Sequence, residues 1–291
     1  MKIPPHLLLI LATILWGGNF VIGRAVTGEI PPFTLSFLRW CLAFVVFFPI
    51  AYKYVKRDWT QIKQHWPIVI VFALTGVASF NTLVYIGVYY TTSINASLMN
   101  SLTPIFLYIF SFAFLKIKVS RNQIIGTVIS LVGVLFILTK GSIDNLIHFS
   151  FNVGDLIVIV AVVSWSIYSL LVKQFSDRLP GFSTFLISIV IGAIMLLPFS
   201  AYELATLESP IIWSGKTIGA ILYVGIFASI VAFLSWNKGV VAIGANRAGI
   251  FLNLIPVFAT IFATIFLGEQ LYLAQIIGGL TVIGGVILTN R

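Results

Sequence analysis

Charge is scarce in this chain of 291 residues: 9% are Asp, Glu, Lys or Arg, against 59% hydrophobic. Soluble domains carry about 25% charged residues, and no water-soluble core hides so much apolar surface, so lipid is the expected solvent. Acids are scarcer than bases, 8 against 17. Glu29, Asp58, Asp144, Asp155, Asp177, Glu203, Glu208 and Glu269 all fall in expected loops or at expected helix ends, and His6, His65 and His148 fall outside the expected spans. Hydrolysis or group transfer in a bilayer needs a nucleophile with a base, paired acids or a metal cluster. No His, Asp or Glu sits at depth to serve, which argues against a membrane-embedded enzyme. Cysteine occurs once, at Cys41 in an apolar run; it forms no internal disulfide, has no ligand cluster, and reads as packing. Long polar segments are absent too. The longest loops, near 53–66 and 140–153, are too short to fold alone, which argues against a sensor or scaffold. No metal or cofactor is expected.

What is present is a series of long apolar runs. A spanning helix needs roughly 20 mostly apolar residues, and ten segments qualify: 7–26, 34–52, 67–89, 94–115, 122–139, 154–175, 183–202, 215–237, 247–267 and 272–289. Lys2 followed by an apolar run has the flavour of a secretion signal, but the run continues to Val26 without a small-x-small cleavage site, so a retained first helix is expected. Unpaired backbone cannot face lipid, and each run is expected to be a continuous helix. With the N-terminus inside, Lys2, Lys53, Lys56, Arg57, Lys63, Lys116, Lys118, Arg121, Lys173, Arg178, Lys238, Arg247 and Arg291 lie on the inner side. Arg24, Lys140 and Lys216 lie on the outer side. Basic loops stay inside, so both termini are expected in the cytoplasm of a cell with an inner membrane. The net charge of +9 is then topology, not a nucleic-acid surface.

The sequence repeats. At an offset of 149, Ala12 meets Ala161, Trp16 meets Trp165, Arg24 meets Lys173, Pro31 meets Pro180, Phe33 meets Phe182 and Pro49 meets Pro198. At an offset of 152, Gly87 meets Gly239, Ala96 meets Ala248, Pro104 meets Pro256, and Phe106, Phe110 and Phe114 meet Phe258, Phe262 and Phe266. Gln123-Ile124-Ile125-Gly126 meets Gln275-Ile276-Ile277-Gly278, and Gly133 meets Gly285. Two five-helix units are expected, 1–141 and 152–291. Five is odd, so the second unit enters the membrane in the opposite sense. Secondary transporters commonly use such inverted repeats, with a site at the repeat interface near the midplane.

These residues resemble the EamA-like branch of the drug/metabolite transporter superfamily. The resemblance is carried by Leu15-Trp16-Gly17-Gly18-Asn19-Phe20, Phe37-Leu38-Arg39, Asn95-Ala96-Ser97 through Pro104, and Pro256 through Leu267-Gly268-Glu269-Gln270-Leu271. The first half departs from it, with Leu115-Lys116-Ile117 where the second has Leu267-Gly268-Glu269. The resemblance implies ten helices, inverted repeats, a central cavity, and carriage of amino acids or similar small metabolites, often outward. The same superfamily carries nucleosides, purines and nucleotide sugars.

Candidate site residues are the polar and aromatic groups at mid-helix depth. Trp16 and Asn19 share a helix face, as do Asn81 and Tyr85, and Trp165 and Tyr168. Asn100 and Ser101 precede Pro104; Asn253 precedes Pro256; Trp236 stands near an inner helix end. Each amide reads equally as cargo contact or as an interhelical hydrogen bond. Pro104 and Pro256 are expected helix kinks. Gly126, Gly133, Gly278 and Gly285 read as close helix packing. Trp40, Trp59, Trp66 and Trp213 read as interface anchors. Arg39 is the one charge clearly inside a helix, roughly 8 Å below its outer end; it can snorkel outward, bind a carboxylate of the cargo, or pair with a helix end. With a single intramembrane cation, a neutral or zwitterionic cargo is expected, carried by a monomer or weak homodimer. No titratable acid stands at depth, so uncoupled or exchange transport is expected, with Asp155 or Glu269 the alternative sites of weak coupling.

Overall fold

A computed structural model describes residues 3–26, 28–91, 93–142, 144, 151–207 and 210–291. Lys2, His148 and Glu208 lie outside the described residues. Among the described residues all regular structure is helical, and nine helices are long and apolar enough to cross a membrane, with a shorter tenth at Leu273–Thr289. The chain is a polytopic membrane protein. Its spans are α1 (Pro5–Ala25), α2 (Pro32–Gln64), α3 (Trp66–Tyr90), α4 (Ser93–Asn100 and Thr103–Leu115), α5 (Arg121–Thr139), α6 (Val153–Gln174), α7 (Gly181–Ala205), α8 (Gly215–Ile243), α9 (Ala245–Gly249, Ile250–Asn253 and Leu254–Leu267) and α10 (Leu273–Thr289).

Local chemistry sets the ends. Pro32, Pro67 and Pro104 stand in the first turns of their helices, where no backbone donor is needed. The repeated glutamines cap the starts of α5 and α10: Gln123 Oε1 accepts from the Ser120 N–H at 2.8 Å and Gln275 Oε1 from the Tyr272 N–H at 3.0 Å. Lys116 and Gly268 occupy matched left-handed caps, φ 57° and 67°. The departure between the halves therefore keeps one turn geometry while losing the glycine that suits it.

Two expectations need correction. First, α2 does not stop at 52. It runs on to Gln64, and only His65 separates it from α3, so the basic stretch from Lys53 to Lys63 is helical. Second, the fourth and ninth spans are not continuous. The α-helix breaks at Ser101 and Leu102, and again as a 3₁₀ turn at Ile250–Asn253, each just ahead of the matched proline. A proline ring clashes with the carbonyl four residues earlier. For Pro104 that carbonyl belongs to Asn100, and Thr103 Oγ1 donates to it at 2.6 Å. A further pair of matched irregularities appears in α3 and α8, where the chain winds as π-helix over Ala73–Ser79 and Tyr223–Val231.

The main helix pairs recur when the halves are exchanged. Helix α5 lies on α10 and α2 on α7; α3 packs on α6 as α8 packs on α1; α4 packs on α6 as α9 packs on α1. The α5–α10 contact is glycine-lined. A methyl group on Gly133 would stand 2.6 Å from the Gly278 carbonyl oxygen, and one on Gly285 2.5 Å from that of Gly126, so only glycine permits this approach. The α2–α7 pair is antiparallel and held at both ends. At one end the Thr34 N–H and hydroxyl donate to Glu203 at 2.7 and 2.8 Å. At the other, Ser183, the repeat mate of Thr34, donates to Asp58, which also pairs with Arg57 at 2.7 Å. Helix α6 starts beside the end of α3, where Thr91 donates to Asp155 at 2.5 Å.

Candidate functional site

A cavity of about 730 Å³ lies among α1, α3, α4 and α9 and reaches the loops after α1, α5 and α9. Its deeper wall carries Asn19, Tyr85 and Ser97; its flank Pro256, Thr260 and Thr264; its mouth Lys140, Glu269, Gln270, Tyr272 and Gln275. The Lys140 ammonium stands 5.1 Å from the Tyr272 ring centre, within cation–π range. A cation and an anion thus share the mouth, while the depth is neutral. This end is where Lys140 and Lys216 were expected to face outward.

Behind the deep wall stands Arg39. It is fully buried and does not snorkel. Its Nε donates to Ser229 Oγ and its NH1 to Tyr85 Oη, both at 2.8 Å. Tyr85 in turn donates to Asn19 Oδ1 at 3.3 Å. The third guanidinium nitrogen, NH2, has no partner, and among the described residues no carboxylate pairs with Arg39. The guanidinium lies 5.3 Å from the Trp40 ring centre.

One helical turn along α1 from the cavity wall at Asn19, Trp16 heads a buried aromatic plug. Its ring meets Trp165 at 5.2 Å and 89°, and packs on Trp236 and Phe233 at 5.5 and 5.8 Å. Trp16 Nε1 donates to the Ala228 carbonyl at 3.0 Å, and Trp236 Nε1 to Ser169 at 3.1 Å. Trp40 belongs to this plug as well, 5.3 Å from Phe233 and fully buried. It is core, not an interface anchor; Trp59, Trp66 and Trp213 are exposed, as anchors require.

Beyond the plug a second cavity, about 350 Å³, lies among α3, α6, α7 and α8. It is lined by Tyr168, Val172, Phe175, Leu179, Thr184 and Asn237. These are the repeat mates of Asn19, Gly23, Val26, Ile30, Leu35 and Tyr85, all lining the first cavity. Asn237 Nδ2 donates to Tyr168 Oη at 2.8 Å, so the amide–phenol pair recurs with the residue types exchanged.

The sequence-derived candidates thus separate into groups. Asn19, Tyr85 and Pro256 line the larger cavity and Tyr168 the smaller. Trp16, Trp165 and Trp236 form the plug. Asn253 donates to Ser130 at 2.9 Å and joins α9 to α5. Ser101 donates to the Ser97 carbonyl of its own helix. Asn81 and Asn100 are buried and line neither cavity; Asn81 Nδ2 and Asn100 Oδ1 have no partner. Asp155 is fully buried and accepts from Thr91, Asn95 and the Asn152 N–H, completing the capping box whose N-cap is Asn152 at the start of α6. Sequence reasoning missed Asn237, Thr260 and Gln275. The offset of 152 pairs Asn237 with Tyr85 and was the signal that finds it.

A model of the EamA-like transporter family matches residues 3–139 and again 152–291. The chain is 30% identical over 288 residues to the uncharacterized transporter YyaM of Bacillus subtilis, covering 98% of this chain and 93% of that one. It is 29% identical to YetK of the same organism, over 97% and 85% of the two chains. It is 27% identical to an uncharacterized transporter of Archaeoglobus fulgidus, over 100% and 98%. A solved crystal structure of 20% identity superposes with a TM-score of 0.79 over 98% of this chain and 95% of that one, a likeness of fold.

Proposed function

This chain belongs to the EamA-like transporter family, and from that premise we propose that it is a secondary transporter of amino acids or similar small zwitterionic metabolites. It works by alternating access across the cytoplasmic membrane, with net movement outward, both termini inside, and two inverted repeats spanning 1–141 and 152–291. The observation that carries this reading is the pair of unequal cavities on either side of one aromatic plug, lined by repeat-matched residues. If the halves exchange conformations, the small cavity becomes the large one and the large one the small. The mouth residues Lys140 and Glu269 suit a molecule carrying both charges, and a volume of about 730 Å³ accommodates an amino acid with water. Carriage without obligatory proton coupling is supported by the site of Asp155, whose carboxylate is engaged in capping α6.

The test is counterflow in proteoliposomes against labelled amino acids, nucleosides and purines, with and without a pH gradient. Saturable amino-acid counterflow, equal with and without the gradient, supports the proposal. Counterflow confined to nucleosides or purines replaces its cargo class. Proton movement stoichiometric with cargo overturns the uncoupled mechanism.

A further inference from the structure

Exchange of the halves places an amide–phenol pair at each cavity, but what stands behind the two pairs differs. Arg39 on α2 is matched by Ser188 on α7, whose hydroxyl donates to the Thr184 carbonyl of its own helix at 2.8 Å. Arg39 instead reaches Tyr85 at 2.8 Å. A guanidinium only donates, so Tyr85 Oη accepts from Arg39, and its single proton goes to Asn19 Oδ1. That engages Asn19 Oδ1 and leaves its amide N–H groups, which have no partner among the described residues, on the wall of the larger cavity. The second pair has no such bias. Asn237 Nδ2 donates to Tyr168 at 2.8 Å, the reverse bond from Tyr168 Oη to Asn237 Oδ1 measures 3.1 Å, and among the described residues no cation bonds to either.

We propose that Arg39 is a positioning residue for cargo selectivity: through Tyr85 it engages Asn19 Oδ1 and leaves the amide N–H groups toward the cavity, so the deep wall of the larger cavity receives the carboxylate of the cargo. The inference rests on the metabolite-carrier reading and narrows it to carboxylate-bearing molecules. The buried charge adds to the same preference. With an unpartnered NH2 and no carboxylate partner among the described residues, its positive potential is left uncancelled beside the cavity and favours an anion there.

The experiment compares labelled leucine, threonine and phenylalanine with their carboxamides, in proteoliposome counterflow and as stabilisers of the purified protein's melting temperature. In the wild type the acids exchange and stabilise, with half-saturation roughly tenfold lower than the amides, the scale of a charge-assisted over a neutral hydrogen bond. Asn19→Asp, which places an acceptor where the donor stood, and Arg39→Gln each bring the acid-to-amide ratio near or below one. Arg39→Lys restores part of the ratio. A purely structural role for Arg39 would lower both uptakes together and leave the ratio intact. If Arg39→Gln does not fold, Asn19→Asp at the cavity surface carries the test. Exchange of acids and amides with equal half-saturation overturns this inference and leaves the carrier reading standing. A ratio unchanged in Asn19→Asp overturns it as well. No response to any of these compounds in either assay overturns both.

Discussion

Trp16 and Trp165, equivalent positions in the two halves, touch each other edge to face at 5.2 Å. A residue can meet its own repeat mate only near the axis that exchanges the halves, so the plug they form stands at the pivot between the two cavities. Truncating a buried tryptophan costs about 3–5 kcal/mol, and here it would also join the cavities. Trp165→Ala is expected to lower the melting temperature and to let a small labelled solute leak through proteoliposomes without exchange. Trp165→Phe is expected to retain the seal. A tight Trp165→Ala variant would show that the plug is not the barrier.

The α5–α10 contact tolerates no side chain on its glycines. Gly133→Leu is expected to prevent folding or to lower the melting temperature sharply, because even its Cβ would press on the Gly278 carbonyl and Val282. Gly284 in α10 has nothing within 4 Å of an added methyl, and Gly284→Ala is expected to be neutral or slightly stabilising, glycine being the poorer helix former by about 1 kcal/mol. Equal thermal scans for the two variants would contradict the packing.

Glu29 offers a pH handle outside the spans. Hydrogen bonds from Lys216, then Thr217 and Ser214, hold its carboxyl down from the ordinary 4.5 to about 2. A depressed acid stabilises the fold above its unfolded value and loses that contribution as pH falls through the folded one. Wild-type protein is therefore expected to lose melting temperature between roughly pH 5 and pH 2 more steeply than Glu29→Gln, with the two converging at the acid end. Parallel curves would mean that the loop bonds do not persist in solution.

Thiol labelling reads the two cavities separately. In a Cys41→Ser background, Thr260→Cys lines the larger cavity and Thr184→Cys the smaller. A membrane-impermeant maleimide added to intact cells is expected to label Thr260→Cys and to spare Thr184→Cys. The opposite pattern would reverse the orientation argued from the basic loops.

Much of the architecture was legible because its signals are local. Length and hydropathy mark each span, and the glycines of the Gln-Ile-Ile-Gly blocks announce a close contact whichever helix they meet. The site was legible only in part. Asn19, Tyr85 and Tyr168 stood out as polar groups at depth, but Asn253 looked the same from sequence and turned out to join α9 to α5. Depth in the bilayer is written along the chain; the direction a side chain faces is not. Trp40 shows this from the other side, since a tryptophan early in a span looks like an anchor until Phe185 and Phe233 close around it.

By itself the sequence determined that lipid is the solvent, that the chain crosses it ten times, and that it does so as two related sets of five. Those follow from apolar length and from a repeat written in consecutive residues. The tertiary structure decided which polar groups face a cavity, and that Arg39 stands behind Tyr85 without a carboxylate among the described residues. The placement of Arg39 depends on partners between 46 and 190 residues away in the chain, and the facing of the other polar groups on which of two neighbouring helices supplies the hydrogen bond. Hydropathy, which sums residues one at a time, carries no term for either.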